Sequence, residues 1–133
     1  MTFELQAHTA DIAVEATAST LSELFAAVAS GLTAAHCESL VDGGETFELT
    51  VTAESREALL FDYLDELIYR RDVEEVLPAD HDVTIDDEWS LTGTFRGIPL
   101  DALEAREIKA VTYSEMEIEE TADGWRARVV FDV

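Results

Sequence analysis

An α+β domain, with a largely antiparallel sheet and two helices packed on one of its faces, is the fold this sequence predicts. Three observations carry the prediction. Leu21–Leu32 and Leu59–Ile68 repeat apolar residues at three- and four-residue steps, the spacing of a helix with one buried stripe. Shorter runs around them alternate apolar and polar residues, the period of a half-buried strand. The order is strand, strand, helix, strand, helix and then four strands, without the regular alternation that builds a parallel sheet. A length of 133 residues predicts one domain, residues 1–133, with a single core.

Composition narrows the classes further. Hydrophobic residues make up 47 % of the chain, so a formal net charge of −22 does not make it a disordered acidic tail. Thirty Asp and Glu oppose eight basic residues, seven of them arginine, and Lys109 is the lone lysine. Such self-repulsion is screened near molar salt, where the Debye length falls to about 3 Å. We therefore expect a salt-rich cytoplasm; the other reading is an ordinary acidic protein that binds a basic partner. Direct nucleic-acid binding is disfavoured, because it rests on clustered Lys and Arg. No basic leader or membrane-length apolar run is present, which points to a soluble protein. Cys37 stands alone and forms no intramolecular disulfide.

Phe3, Leu5 and Ala7 alternate as one strand and Ile12, Val14 and Ala16 as the next, with His8-Thr9-Ala10-Asp11 between them. Thr20-Leu21-Ser22-Glu23 has capping-box spacing, so the first helix starts there. It carries Leu21, Leu24, Phe25, Val28 and Leu32, and His36 and Cys37 serve structurally at its end. Asp42-Gly43-Gly44 is a turn, and Phe47, Leu49 and Val51 mark a half-exposed strand. The second helix runs from about Ser55 to Arg71. Pro78 is expected to close a connection, followed by short strands at Val83-Ile85 and Trp89-Phe95 joined by Asp86-Asp87. His81 among Asp80, Asp82 and Asp86 reads as chance proximity in an acidic chain rather than a metal cluster. Gly97-Ile98-Pro99 reads as a turn, and Asp101 to Glu107 as a short helix or acidic loop. A long strand then puts Ile108, Ala110, Thr112, Met116 and Ile118 on one face and Lys109, Val111 and Tyr113 on the other. Asp123-Gly124 turns it into a last strand through Trp125, Ala127, Val129 and Phe131.

Chemistry is sought where polar residues interrupt or end this pattern. The bend at His8–Asp11 has a local explanation in Thr9 and Asp11 bonding their own backbone, and a chemical one in metal or ligand recognition. If the two ends of the chain meet in the sheet, Asp11, Asp132 and the Val133 carboxylate converge as three negative oxygen groups. Unpaired, they repel one another. A hard divalent cation resolves the conflict, calcium or magnesium rather than structural zinc, with His8 either an additional ligand or a group bonded to one of the ligands. The plainer reading is three solvated carboxylates. Lys109, retained in a chain that has discarded every other lysine, suits a phosphate or carboxylate cluster; the other reading is a salt bridge, to Glu107 for instance. A two-residue turn at Asp123-Gly124 sets Asp132 near Glu115 and leaves Lys109 six residues, about 20 Å, away.

Taken together, His8-Thr9-Ala10-Asp11-Ile12, Thr20–Phe25, Leu59-Leu60 with Leu64–Leu67, Glu107–Tyr113 and the closing Phe131-Asp132-Val133 resemble the archease family over nearly the whole length. Departures are small: Ala13 stands where glycine is frequent, Tyr63 for tryptophan and Ser114 for histidine. The resemblance implies an SHS2-like domain that assists an RtcB-type RNA ligase in tRNA splicing, promoting ligase guanylylation with GTP and multiple turnover. It implies no ligase activity of its own, a metal site at Asp11, Asp132 and Val133 holding calcium (or magnesium or manganese), and Lys109 as a residue needed for activation. A cytoplasmic accessory protein is thus expected. The other readings are a small metal-dependent phosphoesterase using His8, Asp11 and Asp132, and an SHS2 module that binds a small ligand.

Overall fold

The computed structural model describes residues 2–7, 11–37, 40–103 and 107–132. Along them run β1 (Thr2–Ala7), β2 (Asp11–Ala18), α1 (Leu21–His36), β3 (Glu45–Thr52), α2 (Arg56–Glu74), β4 (Val76–Ile85), β5 (Ser90–Pro99), β6 (Ala110–Thr121) and β7 (Gly124–Asp132). Both helices start as the sequence predicts. Thr20 Oγ1 accepts the Glu23 amide at 3.1 Å and Ser55 Oγ the Ala58 amide at 3.2 Å, each satisfying a backbone donor that the helix leaves open. At the far end of α1, Cys37 is a buried packing residue.

The strands pair antiparallel throughout, in two sheets ordered β1-β2-β7-β6 and β3-β5-β4. The α+β class, the two helices and the antiparallel pairing agree with the sequence. The division into two sheets is the finding that alternation alone does not carry, because it identifies buried faces and not neighbours. Each helix touches both sheets: α1 meets β1, β2 and β7 as well as β4, and α2 meets β6 as well as β3, β4 and β5. Between them lies one main core in which Phe25, Leu59, Leu60, Tyr63, Leu64, Phe95 and Phe131 are fully buried. Gly31 lets α1 approach β2, since a Cβ there would lie 2.5 Å from Val14 Cγ1. A smaller cluster joins Cys37, Leu77, Ala79 and Ile98.

Three local expectations are corrected. Pro78 does not close a connection but sits inside the ten-residue β4. That strand is an edge, where a missing N–H leaves no ladder bond unmade. Gly97-Ile98-Pro99 is the end of β5, paired with Val76–Pro78, and not a turn. In β6, Val111 is buried on the core side together with Ile118, although seven residues separate them and an unbroken strand would put them on opposite faces.

Candidate functional site

The odd spacing in β6 has a definite cause. From the hairpin, Thr121 pairs with Gly124 and Glu117 with Arg128 in regular register; the next pair is Thr112 with Val130. Tyr113–Met116 therefore oppose Val129 alone, a bulge of three extra residues, and an odd offset turns every side chain beyond it to the other face. Tyr113 anchors the bulge on α2, its ring 5.2 Å from that of Phe61 and tilted 41°. On the site side of it, Thr112 Oγ1 donates to Val130 O at 3.0 Å.

The bulge decides what stands beside Asp132. The two-residue loop is Ala122-Asp123 rather than Asp123-Gly124, and together with the three-residue offset this brings Ala110, not Glu115, opposite Asp132. Lys109 N donates to Asp132 O at 2.9 Å. The expected separation of six residues is thereby corrected to direct backbone contact. On the other side of β7, Asp132 is the register partner of Asp11, the first residue of β2. Directly opposed residues of an antiparallel pair share a face, with Cβ atoms about 4.5–5.5 Å apart. Phe131, fully buried, fixes β7 just inside this end, while Asp132 and Lys109 are exposed and Asp11 is half-buried. Val133 and His8, named from the sequence as further ligands, lie outside the described residues. Among the described residues no three His, Cys, Asp or Glu side chains cluster to hold a metal.

Electrostatically this end of the sheet differs from the rest. Glu15 is held by Arg126 at 2.6 Å, Arg126 also meets Glu119 at 3.0 Å, and Arg128 lies 3.8 Å from Glu115. Arg56, Arg70, Arg71 and Arg96 pair with Glu57, Glu66, Asp72 and Asp80. Every arginine among the described residues is thus ion-paired, whereas Lys109 has no ion pair with a described residue, Glu107 included. Asp11 and Asp132 likewise have no described arginine or hydrogen-bond donor at their carboxylates, although like charges directly opposed are unfavourable.

The two other histidines singled out in the sequence are bonded within the fold, His36 buried and His81 half-buried. His36 Nε2 faces Arg71 Nη1 at 2.8 Å; an arginine only donates, so Nε2 accepts and Nδ1–H donates to Leu32 O at 3.1 Å. Burial and the Arg71 charge lower its pKa to about 4. Arg71 is itself buried, a role that its place in an acidic helix did not signal. His81 sits in the bulge between Ala79 and Asp82 of β4, with Nε2 2.8 Å from Thr33 Oγ1. The Thr33 hydroxyl proton goes to a carbonyl, Pro78 O at 2.7 Å or Ala29 O at 3.0 Å. Nε2–H then donates to Thr33, leaving Nδ1 buried without a described partner. Burial lowers this pKa to about 4 as well. Asp80, its neighbour, is bound to Arg96 at 2.6 Å, so the acidic residues around His81 form no ligand set with it.

The model of the Archease protein family matches residues 3–133. Protein archease of Methanosarcina acetivorans is 35% identical, the match covering 98% of this chain and 95% of that protein. Protein archease of Thermococcus gammatolerans is 38% identical, with 95% and 94% covered. The solution structure of Methanobacterium thermoautotrophicum protein 1598 superposes with a TM-score of 0.86 at 35% identity, covering 98% of each chain. The crystal structure of a Thermotoga maritima archease, described as a possible chaperone, gives a TM-score of 0.72 at 29% identity over 95% of this chain and 93% of that one.

Proposed function

This chain belongs to the archease family, and we propose that it is an accessory protein that activates an RtcB-type RNA ligase in tRNA splicing, promoting guanylylation of the ligase with GTP. The observation that carries this reading is the meeting of Asp11, Asp132 and Lys109 at one end of the sheet, none of them neutralised by a described side chain. The Lys109 ammonium offers a compact charge and three donors to phosphate oxygens, and its exposed position lets it reach a nucleotide held by another protein. The backbone bond to Asp132 holds the start of that segment in place, and orientation of this kind lowers the barrier to phosphoryl transfer. A net charge of −22 repels RNA, so the chain acts by docking on the ligase rather than on its substrate.

The paired carboxylates fit a hard divalent cation. Their donor set is oxygen alone, suited to calcium, magnesium or manganese. Asp11, Asp132 and the Val133 carboxylate would hold it, with His8 as a further contact. Bound there, the ion would remove the carboxylate repulsion and supply a positive centre for phosphate oxygens. Two measurements test the proposal. Guanylylation of the ligase from the same organism, at high salt, is expected to accelerate with this chain and to lose the acceleration with Asp11→Ala or Lys109→Ala, both folded by circular dichroism. Calcium is expected to raise the melting temperature of the wild type and not of Asp11→Asn. Stimulation retained by both activity variants overturns the activator mechanism; a calcium shift unchanged in Asp11→Asn overturns the metal site.

A further inference from the structure

The three most exposed large apolar side chains of the described residues are Tyr69 at 57 %, Val73 at 54 % and Tyr113 at 50 %. Tyr69 and Val73 stand four residues apart on α2, one above the other on the same face. The residues that bury this helix, such as Tyr63, Leu64 and Leu67, lie round its opposite side. Tyr113 belongs with the exposed pair, because its ring meets that of Phe61 on the same helix at 5.2 Å.

The helix also runs toward the candidate site. Near its start Arg56 Nη2 donates to Ile118 O of β6 at 3.2 Å, and further along Phe61 meets Tyr113. α2 therefore travels against β6, toward the end that carries Lys109. From Phe61 to Tyr69 it advances about 12 Å, and from Tyr113 to Lys109 the chain covers at most about 13 Å. Tyr69 is thereby carried to the same end of the molecule as Lys109.

Asp62 and Asp65 are exposed one and two turns before Tyr69 on this face, and neither has an ion pair with a described residue. The arginines of the helix are turned to Glu57, Glu66 and Asp72. What the face presents is an apolar centre beside uncompensated carboxylates, and its complement is an apolar hollow rimmed by Lys or Arg. A second copy, whose described arginines are already paired, does not supply one. We propose that this face of α2, with Tyr113 beside it, is the surface on which the ligase docks. The proposal rests on the activator reading and adds the place of contact: Tyr69 and Val73 enter the hollow, and Asp62 and Asp65 meet its cations. A standard footprint of about 800 Å² per partner, roughly 30 Å across, is wide enough to include the helix face and Lys109 together.

Binding to the immobilised ligase of the same organism and acceleration of ligase–GMP formation are titrated with wild type, Tyr69→Ala/Val73→Ala, Asp62→Lys/Asp65→Lys and Leu40→Ala. All five positions are exposed, and Leu40 lies outside α2. The alanine pair is expected to raise the half-saturating concentration about tenfold or more, with full acceleration recovered at saturation. Charge reversal at Asp62 and Asp65 is expected to weaken binding as well, and Leu40→Ala to match wild type. A half-saturating concentration unchanged by the alanine pair overturns the proposal, and binding unchanged or tightened by charge reversal overturns the basic partner. Self-association of the wild type that the alanine pair abolishes assigns the face to a second copy and overturns it too. Failure of the activator reading looks different: the wild type binds and the alanine pair does not, yet ligase–GMP forms no faster, so the surface stands and activation falls. A wild type that does not bind the ligase overturns both.

Discussion

Single residues set both the tightest packing and the acid sensitivity of this chain. Gly124 has φ +151°, and a Cβ there would run into the Ala18 carbonyl oxygen at the end of β2. Gly124→Ala is therefore expected to lose about 2 kcal/mol, read from denaturant midpoints. Two histidines, His36 buried and His81 half-buried, act on pH. Each is lowered from 6.5 to about 4, so the unfolded chain takes up a proton on each ring below about pH 6.5 and the folded chain only below about pH 4. Between those values the unfolded state binds more protons, and stability falls as pH falls, by a few kcal/mol per ring at the limit. His81→Leu is expected to flatten this acid-side slope relative to wild type in melts across that window; an unchanged slope would remove His81 from the account. From the sequence, His36 was legible as structural because a helix end supplies carbonyls to an imidazole. Its partner Arg71 was not, since nothing local distinguishes a buried arginine from a solvated one.

At the scale of elements, what was legible is what is local. Capping residues and apolar spacing located both helices, and alternation found part of each strand but missed Val76–Asp82 of β4 and the end of β5. Pairing was not legible, because it joins residues far apart in the chain: the division into two sheets, the passage of Pro78 through an edge strand and the bulge at Tyr113–Met116 all depend on which strand lies alongside. The candidate site shows the same split. Asp11 and Asp132 were found as a polar break and a strand end, whereas the contact of Lys109 with Asp132 required the three-residue offset. That offset makes Val111 and Ile118 both core residues. Val111→Ala and Ile118→Ala are each expected to lose about 2 kcal/mol or more, where an unbroken strand would spare one of them. The Lys109 amide, outside β6 yet bonded to Asp132 O, is expected to exchange slowly with solvent.

For the molecule as a whole, charge is the dominant variable. Thirty carboxylates against eight basic residues leave repulsion that salt screens, so the melting temperature is expected to climb with KCl well beyond the range where exposed ion pairs are already screened. A melting temperature that falls with added KCl would contradict this. The described arginines are committed to carboxylates, and the one lysine of the sequence is exposed and has no ion pair with a described residue. This gives the chain an unusual chemical simplicity. An amine-reactive acylating dye finds a single side-chain target, and that target stands at the candidate site. Peptide mass mapping will then read occupancy of the site directly: acylation at Lys109 slows when a partner covers it, and a fluorophore placed there reports docking from the position where the proposed chemistry occurs.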